Sequence, residues 1–109
     1  MSRPHKCKTV KQEPGVTYFK PRAVPLSGLE EVTITVEELE ALRLVNIEDQ
    51  SQQDAAKHMN THQSTLQRML TRARKKLTDA LVNGKAIRIQ GGSYVVGGEK
   101  HAKRRQDRT

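Results

Sequence analysis

From Leu66 onward, apolar side chains recur as Leu66, Met69, Leu70, Ala73, Leu77, Ala80 and Leu81, and Asn83-Gly84 closes the series. Steps of three and four residues keep one face of an α-helix apolar for about four turns. Glycine has no Cβ to clash at positive φ, so Gly84 suits a left-handed helix cap. The spacing therefore predicts a long helix from Thr61 or His62 to Asn83, about 30 Å in length, around which the rest of the chain must pack.

A short helix precedes it. Ser51 stands as N-cap three residues before Asp54, and Ala55, Ala56 and Met59 mark its buried side. It stops near Asn60, leaving a very tight turn. Such a turn needs one residue at positive φ, where Gly is best and Asn next. Ala56, four residues earlier, allows close approach where the two helices cross, and Met59, Thr61 and Leu66 would fix the angle between them. This combination fits a helix-turn-helix over roughly Ser51 to Val82, which places its second helix in the major groove of DNA.

Upstream, Thr35 and Glu38 have capping-box spacing, and Leu39, Leu42 and Val45 continue at helical intervals to about Ile47. Val32 to Thr35 alternates as a short strand. Pro4, Pro14, Pro21 and Pro25 forbid a long helix in residues 1–31, which read as an extended arm anchored by Val16, Tyr18 and Phe19. After Gly84, Ile87 and Ile89 alternate with polar residues, Gly91-Gly92 makes a turn, and 93–96 return as a strand. The expected fold is mainly α: a three-helix, helix-turn-helix domain over 32–96 with flanking strands and a winged-helix-like C-terminal hairpin. A basic arm (1–31) precedes it, and a disordered basic tail (97–109) follows.

Charge supports a polyanionic partner. Of a net +8, residues 1–22 hold six Lys or Arg against one acid, 23–60 two against eight, and 61–90 seven against one. Cations clustered in this way displace counterions from phosphates. At the start of the long helix, His62, Gln63, Ser64, Gln67 and Arg68 form the polar face that would read base edges: Gln matches adenine, Arg matches guanine, and Ser matches either bases or phosphates. Arg72, Arg74, Lys75 and Lys76 follow as phosphate contacts, while Ala56 and Asn60 are structural.

Other classes find less support. With 34% hydrophobic and 3% aromatic residues, a large core with a deep pocket is not expected. Glu37, Glu38, Glu40, Glu48, Asp49 and Asp54 fall on exposed helix faces and a loop without a partnered His or nucleophile, so neither catalysis nor a cofactor is expected. His58 and His62 are four apart, but the turn falls between them and no metal site is expected. Cys7, the only cysteine, permits no intramolecular disulfide or Cys-based zinc finger and reads as an incidental thiol. No apolar run is of membrane-spanning length and no signal stretch opens the chain, so a cytoplasmic location is expected. Tyr18, Phe19 and Tyr94 are too few to build the stacking platform that single-stranded RNA readers use. Double-stranded DNA is the expected partner. RNA binding, or an adaptor role touching RNA polymerase through the acidic first helix, is the alternative. Homodimerisation through the hairpin near Ile87–Val96 or the arm near Tyr18 is also expected.

Residues 17–92 resemble a small prokaryotic family of predicted DNA-binding proteins, uncharacterised protein family 0251. The matching stretches are Tyr18-Phe19-Lys20-Pro21, Leu29-Glu30-Glu31-Val32, Glu38-Leu39-Glu40-Ala41-Leu42-Arg43-Leu44, Ala55-Ala56 and Ala80-Leu81-Val82-Asn83-Gly84-Lys85-Ala86, with Arg3-Pro4 and Lys6-Cys7 earlier. The resemblance implies a fold similar to the promoter-reading fourth region of sigma factors. It also implies that Leu66 to Leu77, containing Arg72-Ala73-Arg74, is similar to that region's recognition helix. Asn60, Thr61 and His62 depart from the family's usual Gly, aliphatic residue and Ser at the turn.

Overall fold

The computed structural model describes residues 7–97. The basic tail and the Arg3-Pro4 and Lys6 matches lie outside that range, apart from Gly97. In chain order the elements are β1 (Lys8–Val10), β2 (Tyr18–Phe19), β3 (Glu31–Ile34), α1 (Val36–Leu42) with a π-helical extension (Arg43–Ile47), α2 (Gln52–His58), α3 (Gln63–Asn83), β4 (Ala86–Ile89) and β5 (Tyr94–Val96).

Local chemistry sets the helix limits. Thr35 Oγ1 accepts from the Glu38 N–H at 3.1 Å, while Glu38 Oε1 accepts from the Thr35 N–H at 3.0 Å, so the capping box closes. Ser51 Oγ accepts from the Asp54 N–H at 3.0 Å at the start of α2. Gly84, at φ 68°, ends α3. The α3 stripe is buried at Leu66, Met69, Leu70, Ala73 and Ala80, but Leu81, expected to continue it, is 78% exposed because none of the described elements covers that side of the last turn.

Two adjoining clusters make the core. Ala41, Leu44, Ala55, Ala56, Met59, Leu66, Met69 and Leu70 join the helices to one another. Val10, Ile34, Val36, Ile89 and Val96 join the strands to α1, with Leu39, Leu77, Ile87 and Tyr94 packed against them. Strand residues Val10, Ile34, Ala86, Ile89 and Val96 thus supply about a third of the buried apolar core. The architecture is mixed α/β, which corrects the expectation of a mainly α fold.

The strands pair differently from the expected hairpin. β4 lies between β2, antiparallel with Tyr18 opposite Arg88, and β3, parallel with Ile34 opposite Ile89. β5 pairs instead with β1, in parallel, with Lys8 opposite Tyr94. The intervening Gly91-Gly92 link does not fold back. It is pinned over the start of α1, where the Val36 N–H donates to the Gly91 carbonyl at 3.1 Å and the Ser93 N–H donates to Glu37 Oε1 at 2.7 Å. A Cβ on Gly92 would meet Glu37 Oε1 at 2.7 Å, so a side chain there would clash with the pin. No winged-helix hairpin forms among the described residues, because β4 and β5 each find a partner from the N-terminal segment. That segment is held by its strands rather than by Val16, which is exposed.

Candidate nucleic-acid interface

The turn between α2 and α3 is built from backbone geometry. Asn60 sits at φ 57°. Its N–H donates to the Lys57 carbonyl at 3.1 Å, and the Thr61 N–H donates to the Ala56 carbonyl at 3.0 Å. These two bonds form a Schellman closure, which satisfies carbonyls that the end of α2 would otherwise orphan. Ala56 is buried at this joint, beside Ala55 and Met59. The Thr9 N–H of β1 donates to the Met59 carbonyl at 3.0 Å, fixing the turn from outside as well. Nothing in the sequence pattern foretold that support.

His62 caps α3 with extended backbone and no side-chain bond. Gln63, Ser64, Gln67 and Arg68 follow on the exposed side. The side chains of all five residues have no intramolecular polar partner among the described residues, so they are available to an external one. At roughly 100° per residue, Ser64, Arg68, Thr71 and Lys75 fall closest to the direction opposite Leu66, while Gln67 and Arg74 lie on one flank. Thr71 belongs to this outward line although its residue type gave no reason to single it out. Its hydroxyl is occupied, donating to the Gln67 carbonyl at 3.0 Å.

The four expected phosphate contacts divide. Lys75 is exposed and faces outward. Arg74 lies on the flank, with Nη2 donating to Asn46 Oδ1 at 3.4 Å. Lys76 and Arg72 turn the other way, onto Glu38 of α1: Lys76 Nζ lies 3.0 Å from Oε1 and Arg72 Nε 3.3 Å from Oε2. Both therefore share the single negative charge of one buried carboxylate.

Glu38 is only 2% exposed, and Glu40 is also buried, which corrects the expectation that both lie on an open helix face. Glu40 is held by Arg43, with Nε donating to Oε1 and Nη2 to Oε2, each at 2.9 Å, and by the Lys11 N–H at 3.0 Å. Bonding to Glu40 raises the Arg43 pKa above its ordinary value. The capping-box spacing identified Glu38 in the sequence; its cationic partners, more than thirty residues away, left no local signal.

On the outer face of the three-stranded sheet, Arg88 grips Glu31 through two bonds of 2.9 Å, and the Tyr18 hydroxyl donates to the same carboxylate at 3.0 Å. The Arg88 bonds, then the Tyr18 bond, hold the Glu31 carboxyl below its ordinary pKa. At the far end of α3, bonds from Asn83 and then Lys85 lower the Asp79 pKa. His58 Nδ1 lies 2.9 Å from Gln50 Oε1. Among the described residues, no group of three or more His, Cys, Asp or Glu side chains could hold a metal ion. No helix there is long and apolar enough to cross a membrane.

Fold and site together define a small mixed α/β protein organised around one long, cationic helix. The chain belongs to the family described as protein of unknown function DUF134, which it matches over residues 1–97. It is 56% identical over 99 residues to a UPF0251 protein of Caldanaerobacter subterraneus subsp. tengcongensis, covering 91% of this chain and 84% of that one. It is also 53% identical over 96 residues to a UPF0251 protein of Thermoanaerobacter pseudethanolicus, covering 88% and 81%. A third relative, from Moorella thermoacetica, is 55% identical over 100 residues, covering 92% of this chain and 67% of its own. No solved structure gives a significant match.

Proposed function

We propose that the protein binds double-stranded DNA sequence-selectively and regulates transcription, with α2, the Asn60 turn and α3 acting as a sigma region 4-like helix-turn-helix. One observation carries this reading. A turn closed at positive φ presents the first two turns of a long helix whose opposite side is buried, and every polar side chain on their open side lacks an internal partner. Unpaired Gln, Ser and Arg side chains on an exposed helix start are the groups that bond base edges in a major groove. His62, Gln63, Ser64, Gln67 and Arg68 are the proposed base readers. Lys75 is the proposed phosphate contact, with Arg68 adding a general charge effect. Since Arg72 and Lys76 serve Glu38, they contribute less to phosphate binding than their position in the sequence implies.

The adaptor alternative rested on an acidic first-helix face. Glu38 and Glu40 are buried and paired with cations, so they do not offer that face.

The test is a paired titration of wild type and Gln67→Ala on a selected and a scrambled duplex at one salt concentration. Loss of a bidentate base contact costs about 1–3 kcal/mol on the selected duplex only. Equal losses on both duplexes would show that Gln67 does not read bases, and failure of the wild type to bind either duplex would sink the reading as a whole.

A further inference from the structure

Leu39 and Leu42 of α1 and Leu77 of α3 line a groove that none of the described elements fills. The groove has two parts, which share these three leucines. One part is a recess of about 210 Å³, lined also by Phe19, Ile34, Ile87 and Ile89, so that every residue around it is apolar. Ile34 and Ile89 belong to the buried core, and the recess therefore reaches down to the sheet. The other part, of about 580 Å³, extends to Ile47 and carries all the polar groups: Arg43, Asn46, Arg74 and Thr78. Polarity is thus confined to one end. A cleft that is apolar along most of its length, with a few polar groups in one place, is the usual form of a site for a small organic ligand.

We propose that the groove binds a small aliphatic carboxylic acid, with its hydrocarbon chain in the recess and its carboxylate at Arg74. The charge at the polar end selects an anion. Among the described residues no acid lines either part of the groove, whereas two arginines do. Arg43 is already engaged: its Nε and Nη2 bond Glu40 and its Nη1 bonds Glu48. Arg74 is exposed and has no ion-pair partner among the described residues; its Nη2 donates to Asn46 Oδ1 at a long 3.4 Å. That bond uses the acceptor of the Asn46 amide and leaves its N–H donors beside the guanidinium. The Thr78 hydroxyl donates to the Arg74 carbonyl at 2.7 Å and supplies no further donor. A planar guanidinium fork and an amide donor together match the two acceptor oxygens of a carboxylate. The recess selects the rest of the molecule, because it offers no hydrogen bond and so favours hydrocarbon. A protein helix with its side chains is about 10–12 Å wide, too wide to enter a recess of about 210 Å³, whereas an alkyl chain fits.

This use of Arg74 takes it out of the phosphate contacts that the sequence suggested. Arg74 lies on the flank of α3, off the line of Ser64, Arg68 and Lys75, so a ligand here leaves the face assigned to DNA open. The site is independent of the DNA reading, because its measurement needs no DNA.

Isothermal titration calorimetry of the full chain tests it, with decanoate, octanoate and decyltrimethylammonium as probes, each below its micelle concentration. Decanoate should bind one to one. Octanoate, two carbons shorter, should bind up to about fifteenfold more weakly. Decyltrimethylammonium, with the same alkyl chain and the opposite charge, should bind at least about tenfold more weakly than decanoate. Arg74→Gln should lower decanoate affinity about tenfold without weakening the binding of the cation. Ile47→Gln should also weaken decanoate, whereas Leu81→Gln, on α3 but outside the groove lining, should leave it unchanged; both side chains are exposed, so neither change disturbs the core. A wild type that does not bind decanoate overturns the proposal. Equal affinity for the two decyl probes, or an Arg74→Gln variant that binds decanoate as the wild type does, overturns it by showing that Arg74 does not select the head group. Equal losses from Ile47→Gln and Leu81→Gln overturn it by showing general adsorption to apolar surface.

Discussion

Removing the Glu38 carboxylate tests how α1 is fastened across α3. That group accepts from the Thr35 N–H at 3.0 Å, from Lys76 at 3.0 and 3.3 Å and from Arg72 at 3.3 Å, while being almost fully buried. In Glu38→Ala the capping bond is lost, at about 1 kcal/mol. Breaking a fully buried ion pair would cost about 3–5 kcal/mol more, because the surviving charge is stranded. Here the side chains of Lys76 and Arg72 remain 33% and 56% exposed, so both cations can return to water. That escape reduces the second cost to about 1–2 kcal/mol. The expected total is about 2–3 kcal/mol, or a fall of about 10–20 °C in Tm. Glu38→Gln keeps an oxygen for the Thr35 N–H and should lose only the ion-pair part, about 1–2 kcal/mol. Urea unfolding followed by circular dichroism, with an unchanged m-value, measures both variants. A Glu38→Ala midpoint within error of the wild type would refute the view that this carboxylate holds the two helices together. The same variants bear on binding: removing one negative charge from beside two cations should steepen the salt dependence of DNA affinity by up to about one unit.

Three further outcomes are expected. Asn60→Gly should be neutral or slightly stabilising and Asn60→Val should cost about 1–2 kcal/mol, since a β-branched residue is strained at φ 57°; equal melting temperatures would remove the turn assignment. Lys75→Ala should flatten the salt slope of DNA binding by about one unit, whereas Lys76→Ala should change stability more than slope, because Lys76 is bound to Glu38; titrations across a salt series separate the two. Glu31 has a depressed folded pKa, so its contribution to stability is complete above the ordinary Glu value of 4.5 and disappears as pH falls through the lower folded value. Glu31→Gln should therefore be less stable than the wild type near neutrality and converge with it in acid, and a constant difference in urea midpoint at all pH values would contradict the Arg88–Glu31 pairing.

The features that the sequence determined by itself are those whose causes lie within a few residues. The stripe from Leu66 to Ala80, the Thr35/Glu38 box, the Ser51 cap, the left-handed Gly84 and the positive φ of Asn60 all follow from side-chain spacing, local hydrogen bonding and backbone sterics. The polar start of α3 was legible for the same reason: periodicity separates its exposed side from its buried one. Pairing over distance was not legible. Ile87 and Ile89 alternate as a strand should, yet alternation does not name a partner, and a glycine pair that looks like a hairpin turn became a bridge over α1. Only the assembled fold could bring β1 to β5 and to the turn at Met59, because those bonds join segments with no shared local pattern. Likewise, α1 reads as acidic and exposed from composition, but its crossing of α3 buries Glu38 and draws Lys76 and Arg72 onto it. Burial is a property of what packs above a residue, and a carboxylate can be taken out of water only where the tertiary structure supplies cations and a backbone N–H to replace it.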